Sequence, residues 1–267
     1  MNAGVERGYL PVNGLELYWE RRGSSGIPLL VLGGGYNTSS LIAPLLDELA
    51  VSRQVVTLDL QGHGHTRDID RPFSWDALAD DVAGYLGDGQ VDLLGCSLGG
   101  GVALRCAIRH PQAVRRLAMV SAPAYRRAWM RDTLDGFDAM NRTSSAFLLE
   151  SPMFEAWQAV APEPDPEGFL RLIDRTGELL RSDYDWRDEV RDLGMPVLLA
   201  FADRDAIPTS HLAEFFALLG GGTADPGWNS SEPPWRQLAV LPGRTHYDVF
   251  ASAALPPIID AFLRLTG

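Results

Sequence analysis

Strand-like runs of apolar residues alternate with longer mixed segments along the first half of the chain. These runs lie at residues 15–20, 28–32, 55–60, 91–96 and 117–121. Helical spacing between the runs predicts helices near residues 40–50 and from a Ser74 N-cap to Leu86. Apolar strands separated by helices are typical of a parallel sheet covered on both faces. The pattern therefore predicts an α/β fold with a mostly parallel central sheet flanked by helices.

The alternation stops between residues 122 and 191, where helix formers, charges and scattered large apolar residues replace strand-like runs. We interpret this stretch as a helical cap (lid) inserted into a core domain made of residues 1–121 and 192–267. Loops after the carboxyl ends of parallel strands overhang the site in such sheets, so the cap is expected to shape the substrate pocket. The candidates for substrate binding are Tyr36, Trp129, Phe137, Met153 and Trp157.

The last quarter of the chain contains a predicted helix over residues 210–219, a strand over residues 237–241 and a final helix toward Leu265. A Gly/Pro/Ser-rich segment, residues 220–234, enters that strand at its amino end, which faces away from the chemistry. We assign this segment to surface packing or self-association, so a homodimer is one expectation.

A short apolar strand ends in Gly95-Cys96-Ser97-Leu98-Gly99, directly before a helical stretch. A serine on such a tight strand-to-helix turn needs very small neighbours, and glycines at 95 and 99 meet that demand. The segment predicts a nucleophile elbow with Ser97 as the nucleophile. The competing interpretation is a structural Gly-rich turn.

Composition narrows the chemistry of this 267-residue chain. Its net charge is −12, which argues against nucleic acid and anionic membranes as partners, so a small-molecule substrate is expected. All 23 basic residues are arginine, which excludes Schiff-base and P-loop lysine chemistry. The two cysteines, Cys96 and Cys106, are predicted to be reduced small hydrophobes. With no signal-like start and no run of about 20 apolar residues, a cytoplasmic location is expected.

Two later loops supply the partners that a serine nucleophile needs. An imidazole must take the proton of the hydroxyl, and a carboxylate must orient the imidazole. Asp203 and Asp205 follow the strand that returns after the cap, and His246 follows the last strand. The order serine, acid, histidine matches this fold class, and all three loops leave the same sheet edge.

These motifs resemble the α/β-hydrolase family. The resemblance rests on Gly95 to Gly99, Asp-x-x-Pro at 205–208, Pro-Gly-x-x-His at 242–246 and Asp-Leu-Gln-Gly-His-Gly-His at 59–65. It covers nearly the whole chain except the cap. Within the family the chain is similar to bacterial small-molecule esterases, lactonases and cofactor-free haloperoxidase-like enzymes.

The resemblance implies a triad of Ser97, Asp205 and His246. Asp205 is preferred over Asp203 because the family aspartate commonly lies shortly before a proline and three residues after a small residue, here Ala202. It also implies an oxyanion hole formed by the N–H groups of Leu98 and Gly35. Gly33 replaces the usual histidine of that loop, which leaves Tyr36 as the alternative to Gly35.

The other histidines receive structural interpretations. His63 and His65 lack a third ligand, so neither a metal site nor a cofactor is expected, and the resemblance implies that their turn stabilises a loop. His110 is interpreted as a capping or surface group. His211, on the helix after Asp205, is a distant second choice for the base.

The resulting hypothesis is a serine hydrolase that cleaves a carboxylic ester, lactone or thioester through an acyl-enzyme. One alternative uses the same triad for carbon–carbon bond hydrolysis, a lyase or cyclase step, or perhydrolysis. Cap groups that polarise a second carbonyl would distinguish it, and Arg126, Arg127 and Arg131 are the candidates, although arginine runs are usually solvated helix faces. The other alternative is a ligand-sensing protein with little turnover.

Overall fold

A single mixed sheet forms the centre of the molecule in the computed structural model, which describes residues 4–228 and 235–264. Its strand order is β1-β2-β4-β3-β5-β6-β7-β8. Strands β3 to β8 are parallel, and β2 pairs antiparallel with both β1 and β4. The strands are β1 (Glu6–Val12), β2 (Leu15–Arg22), β3 (Leu29–Leu32), β4 (Val55–Leu58), β5 (Val91–Cys96), β6 (Val114–Val120), β7 (Val197–Arg204) and β8 (Arg236–Thr245).

Helices cover both faces of this sheet. One face packs against α2, α3 and α8, and the other against α1 and α9. The helices are α1 (Ala43–Leu49), α2 (Trp75–Leu86), α3 (Leu98–Arg109), α4 (Arg131–Ala139), α5 (Pro152–Gln158), α6 (Pro166–Arg181), α7 (Arg187–Arg191), α8 (Thr209–Leu218) and α9 (Leu255–Leu263). The prediction of a mostly parallel sheet flanked by helices is confirmed.

The strands β3, β4 and β5 are buried along their whole length, which explains their continuous apolar runs. The sequence pattern missed β1, because six of its seven residues are partly or fully exposed and leave no apolar signal. It also ended the last strand at Leu241, whereas β8 continues to Thr245 beside β7. Both errors concern the edges of the sheet, where burial is incomplete.

The chain between β6 and β7 contains helices α4 to α7 and 3₁₀ turns at Arg126–Ala128 and Ala146–Glu150. Side chains of α5 and α6 form an apolar cluster that includes Phe154, Trp157 and Phe169. Tyr36, from the loop after β3, joins this cluster and links it to the sheet. We continue to treat residues 122–191 as a cap; their division from the core as a separate domain stays a prediction.

Cys96 and Cys106 are buried free thiols, and burial raises their pKa, that of Cys106 to about 12.

Trp228 is fully exposed and Trp235 partly so, while residues 229–234 of the Gly/Pro/Ser-rich segment lie outside the described residues. Across residues 4–228 and 235–264, every helix is too short or too polar to cross a membrane.

Candidate active site

Ser97 stands on the turn between β5 and α3, in a backbone conformation that few non-glycine residues adopt. Its φ is 51°, and its N–H donates to Val120 O at 2.9 Å. This turn lifts the hydroxyl above the carboxyl edge of the sheet. The Oγ atom lies 3.0 Å from Nε2 of His246.

Steric constraints on this turn are severe at both of its glycines. A Cβ on Gly95 would lie 2.2 Å from Gly99 O, and a Cβ on Gly99 would lie 2.2 Å from Gly33 O. Both neighbours are backbone atoms that cannot move aside cheaply. The sheet, the helix and the loop after β3 therefore meet at a distance that only glycine permits.

We expect Gly99→Ala to lower the free energy of unfolding by about 3 kcal/mol, since the added methyl group must displace the backbone. Gly136→Ala is the matched control, because a Cβ at this position in α4 meets nothing within 4 Å. That control should raise the free energy of unfolding by up to about 1 kcal/mol. Urea unfolding curves of both variants measure the difference. Equal stability of Gly99→Ala and the unmodified protein would contradict the packing described for this turn.

His246 and Asp205 reach Ser97 from the next two loops at the same edge. Asp205 directly follows β7 and is 5% exposed, and His246 directly follows β8. The Nδ1 atom of His246 lies 2.9 Å from Oδ1 of Asp205. The structure thus brings together the three side chains that the sequence singled out, in one hydrogen-bonded chain.

Asp203, the competing acid, lies within β7 and is exposed. Regular strand alternation would put residues 203 and 205 on the same face, but the pairing of β7 with β8 is irregular between Ala202 and Arg204, and the strand ends before Asp205. Among the described residues, His246 pairs with Asp205 and not with Asp203.

Ser121 is a member of this site that the sequence analysis missed. It follows β6, is completely buried, and its hydroxyl donates to Oδ2 of Asp205. The Ala202 N–H donates to the same oxygen at 3.1 Å. Both carboxylate oxygens of Asp205 are therefore held, Oδ1 by the imidazole and Oδ2 by two donors. The available sequence signal was a polar residue at the end of an apolar strand next to β7.

We expect loss of the Ser121 hydroxyl to lower kcat about tenfold, since a hydrogen bond to a charged group contributes about 1.5–3 kcal/mol. Ser121→Gly is the preferred variant, because φ is 51° at this position and glycine adopts it without strain. KM should change little, because the hydroxyl acts on Asp205 rather than on substrate. Steady-state kinetics on a p-nitrophenyl ester measure both constants. An unchanged kcat in the variant would contradict the role of Ser121 in positioning Asp205.

Trp129 packs against the His246 ring. The two rings meet edge to face with centroids 5.2 Å apart, and Phe137 also packs edge to face on Trp129, at 5.3 Å. The indole N–H of Trp129 donates to the Tyr184 hydroxyl at 3.3 Å. Two of the predicted substrate-binding residues, Trp129 and Phe137, thus form an aromatic wall beside the imidazole.

The other three predicted substrate-binding residues lie further into the cap cluster. The Trp157 indole N–H donates to Gly62 O at 2.9 Å, and Met153 packs beside the same cluster. Tyr36 is 7% exposed, and its hydroxyl lies 3.2 Å from Met140 Sδ. Burial raises the pKa of the Tyr36 hydroxyl, which keeps it neutral. The role of these residues in substrate binding stays a prediction.

Backbone N–H groups near Ser97 form the candidate oxyanion hole. Leu98 is the first residue of α3, so its N–H has no acceptor within the helix. A Cβ on Gly34 would lie 3.5 Å from Ser97 Cβ, and one on Gly35 would lie 3.7 Å from Leu98 Cδ1. The loop after β3 therefore runs close to the nucleophile. Gly35 as the second donor, with Tyr36 as the alternative, stays a prediction.

The other four histidines contact groups outside the triad. His63 contacts Gln61 O at 3.0 Å, His65 pairs with Asp59 at 2.8 Å, and His110 pairs with Asp80 at 2.7 Å. His211 accepts the Ala124 N–H at 3.3 Å and lies 3.3 Å from Glu214. Burial lowers the pKa of His63 and His211. Within residues 4–228 and 235–264, no group of three His, Cys, Asp or Glu side chains could hold a metal ion.

Comparison with known proteins places this geometry in context. A family profile described as alpha/beta hydrolase fold matches residues 27–154. The pimeloyl-[acyl-carrier protein] methyl ester esterase of Neisseria meningitidis serogroup B (strain ATCC BAA-335 / MC58) is 32% identical over 204 residues, which cover 70% of this chain and 77% of that protein.

One further relative is similar to part of this chain, and one solved structure is similar to nearly all of it. The 2-hydroxymuconate semialdehyde hydrolase of Pseudomonas sp. (strain CF600) is 37% identical over 105 residues, so the match spans 37% of this chain and 37% of that relative. The crystal structure of MGS-M2, an alpha/beta hydrolase enzyme from a Medee basin deep-sea metagenome library, has a TM-score of 0.74 at 13% identity. The alignment covers 97% of this chain and 98% of that structure, which shows a shared fold.

Proposed function

Because the chain belongs to the α/β-hydrolase family of enzymes, we propose that it hydrolyses a small-molecule carboxylic ester, lactone or thioester through an acyl-enzyme on Ser97. The observation that carries this proposal is the hydrogen-bonded chain from Ser97 Oγ through His246 to Asp205, with distances of 3.0 and 2.9 Å. A serine hydroxyl becomes nucleophilic only when a base takes its proton, and this arrangement supplies that base.

In the acylation step, Ser97 Oγ forms a bond to the carbonyl carbon while His246 Nε2 takes the hydroxyl proton. The negative charge that develops on the carbonyl oxygen is stabilised by the N–H groups of Leu98 and Gly35, each contributing about 3 kcal/mol. When the tetrahedral intermediate collapses, the bond to the leaving group breaks and His246 passes its proton to that group.

In the deacylation step, His246 takes a proton from water, and the resulting hydroxide attacks the acyl carbon. The Ser97 oxygen leaves and regains its proton from His246. Asp205 stays ionised throughout and orients the imidazole through Nδ1. Ser121 and the Ala202 N–H support the proposal, because both donate to Oδ2 of Asp205 and hold the carboxyl group in position beside the imidazole.

The cap arginines favour ester cleavage over the carbon–carbon bond chemistry considered for this triad. Arg126 donates to Leu180 O and pairs with Asp138, and Arg131 pairs with Asp135. Both guanidinium groups are therefore already paired with other residues of the cap. Arg127 is exposed to solvent.

The proposal is tested by mixing the protein with excess p-nitrophenyl acetate. We expect a burst that releases one equivalent of p-nitrophenol per protein, or continuous rapid release if deacylation is fast. Values of kcat/KM for ester, lactone and thioester substrates then identify the preferred bond. A ligand-sensing protein would release no p-nitrophenol above the rate in buffer. Faster cleavage of a diketone than of any ester would favour the carbon–carbon hydrolase instead.

A further inference from the structure

A groove of about 240 Å³ lies on the side of the molecule where α1 and α9 cover the sheet. It runs between α1 and the segment that joins β8 to α9, and we call it the α1–α9 groove. Six of its lining residues carry the argument: Asn37, Leu41, Leu45, Glu48, Tyr247 and Phe250. Pockets that hold a whole small-molecule ligand usually have about 300–1,000 Å³. This volume suits one part of a substrate.

Two residues that line the groove lie next to the catalytic centre. A Cβ on Gly34 would lie 3.1 Å from Asn37 Nδ2 and 3.5 Å from Ser97 Cβ, so the side chains of Asn37 and Ser97 both lie close to Gly34. Tyr247 follows His246 in the chain, and their ring centroids lie 5.5 Å apart. Tyr247 is 89% exposed and forms one wall of the groove at its mouth.

The lining has a distinct chemistry. Leu41, Leu45 and Phe250 offer apolar surface, and the exposed carboxylate of Glu48 stands on α1 beyond them. The described residues that line the groove include no arginine. A neutral apolar chain would be bound here by burial of its methylene groups, whereas a carboxylate at its far end would meet Glu48 and be repelled.

We infer that the α1–α9 groove binds the alcohol part of the ester, as a neutral unbranched chain that extends from the leaving oxygen along α1. This inference rests on the proposed function. The leaving oxygen must lie within hydrogen-bonding reach of His246 Nε2, because that atom returns the proton to it. Tyr247, which follows His246 in the chain, lines the groove, so the chain attached to the leaving oxygen would extend past Tyr247 into it, while the acyl part faces the aromatic wall of Trp129.

The experiment compares kcat/KM for methyl, ethyl, propyl and butyl acetate. We expect the unmodified protein to gain about threefold per methylene, or about thirtyfold from methyl to butyl. Ala253→Trp and Ala251→Trp place a large side chain on the exposed rim of the groove and should abolish this gain. Ala254→Trp is the matched control, since Ala254 is exposed next to the groove but does not line it, and it should retain the gain.

Two further arms make the assignment specific. Methyl acetate, methyl propionate and methyl butyrate vary the acyl chain instead. The Ala253→Trp substitution should leave the ratios of their kcat/KM values unchanged. Glu48→Arg should raise kcat/KM for 6-acetoxyhexanoate at least fivefold relative to hexyl acetate, because the charge at the far end of the groove changes sign.

The outcomes separate this inference from the proposed function. Retention of the alcohol-chain gain in both groove variants, or loss of an acyl-chain gain in its place, would overturn the inference while ester hydrolysis itself stood. Failure of the unmodified protein to hydrolyse any of these esters faster than Ser97→Ala would overturn the proposed function.

Discussion

Ser97→Ala is expected to lower kcat for ester hydrolysis by about a millionfold, the largest effect of any single substitution in this protein. The variant keeps the backbone turn but removes the oxygen that would carry the acyl group. His246 and Asp205 stay in position, so the residual rate should come only from the oxyanion donors and substrate binding. Stopped-flow measurement with p-nitrophenyl acetate should show no burst of p-nitrophenol.

Stability must be measured beside activity, because Ser97 has a positive φ. Alanine adopts that conformation at a cost similar to that of serine, so the urea unfolding midpoint should change little. Ser210→Ala is the matched control, since Ser210 is exposed on α8. This control should retain full activity. A folded Ser97→Ala protein with normal turnover would rule out the acyl-enzyme mechanism.

Asp205→Asn is expected to lower kcat by about 10³- to 10⁴-fold, the second largest effect. An amide cannot stabilise the imidazolium that forms when His246 takes the proton, and its NH₂ group favours the wrong tautomer of the imidazole. The Oδ2 position adds a second conflict. If the amide nitrogen occupied it, its N–H groups would face the Ala202 N–H, which can only donate.

Asp203→Asn is the matched control for this prediction. The two aspartates are two residues apart, but Asp203 is exposed on β7 while Asp205 is buried against His246. We expect the Asp203 variant to retain kcat within about twofold, as surface substitutions usually do. If the Asp203 variant lost activity and the Asp205 variant kept it, Asp203 would be the acid of the triad and the assignment of Asp205 would be wrong. The comparison should use kcat at saturating substrate, so that binding effects do not enter.

Two aromatic side chains flank His246 and differ in exposure. Trp129 from the cap is buried and packs edge to face on the imidazole. Tyr247 also packs edge to face on the imidazole, but it is exposed and lines the α1–α9 groove. In the proposal for alcohol binding, the alcohol therefore lies on the Tyr247 side of His246.

Local patterns in the sequence were sufficient to predict the sheet, its parallel core and the position of the nucleophile turn. A strand buried on both faces must be apolar at every position, and a turn that brings backbone within 2.2 Å of a Cβ position must carry glycine. Such constraints act on a few consecutive residues, so they can be recognised without knowledge of the rest of the chain. The exposed strand β1 and the end of β8 carry no such constraint, and the sequence pattern missed both.

Only the tertiary structure could decide how distant segments meet. The sequence shows Ser121 only as a polar residue at the end of an apolar strand, and its contact with Asp205, 84 positions away, arises because β6 and β7 pair. The contact of Trp129 with His246, the placement of Trp157 in the cap cluster, and the groove between α1 and α9 likewise depend on how helices pack across the sheet. Packing between elements is set by many side chains at once, whereas each local motif is set by its own residues. The sequence by itself determined the elements and the chemistry that they carry, and the folded chain determined what surrounds that chemistry.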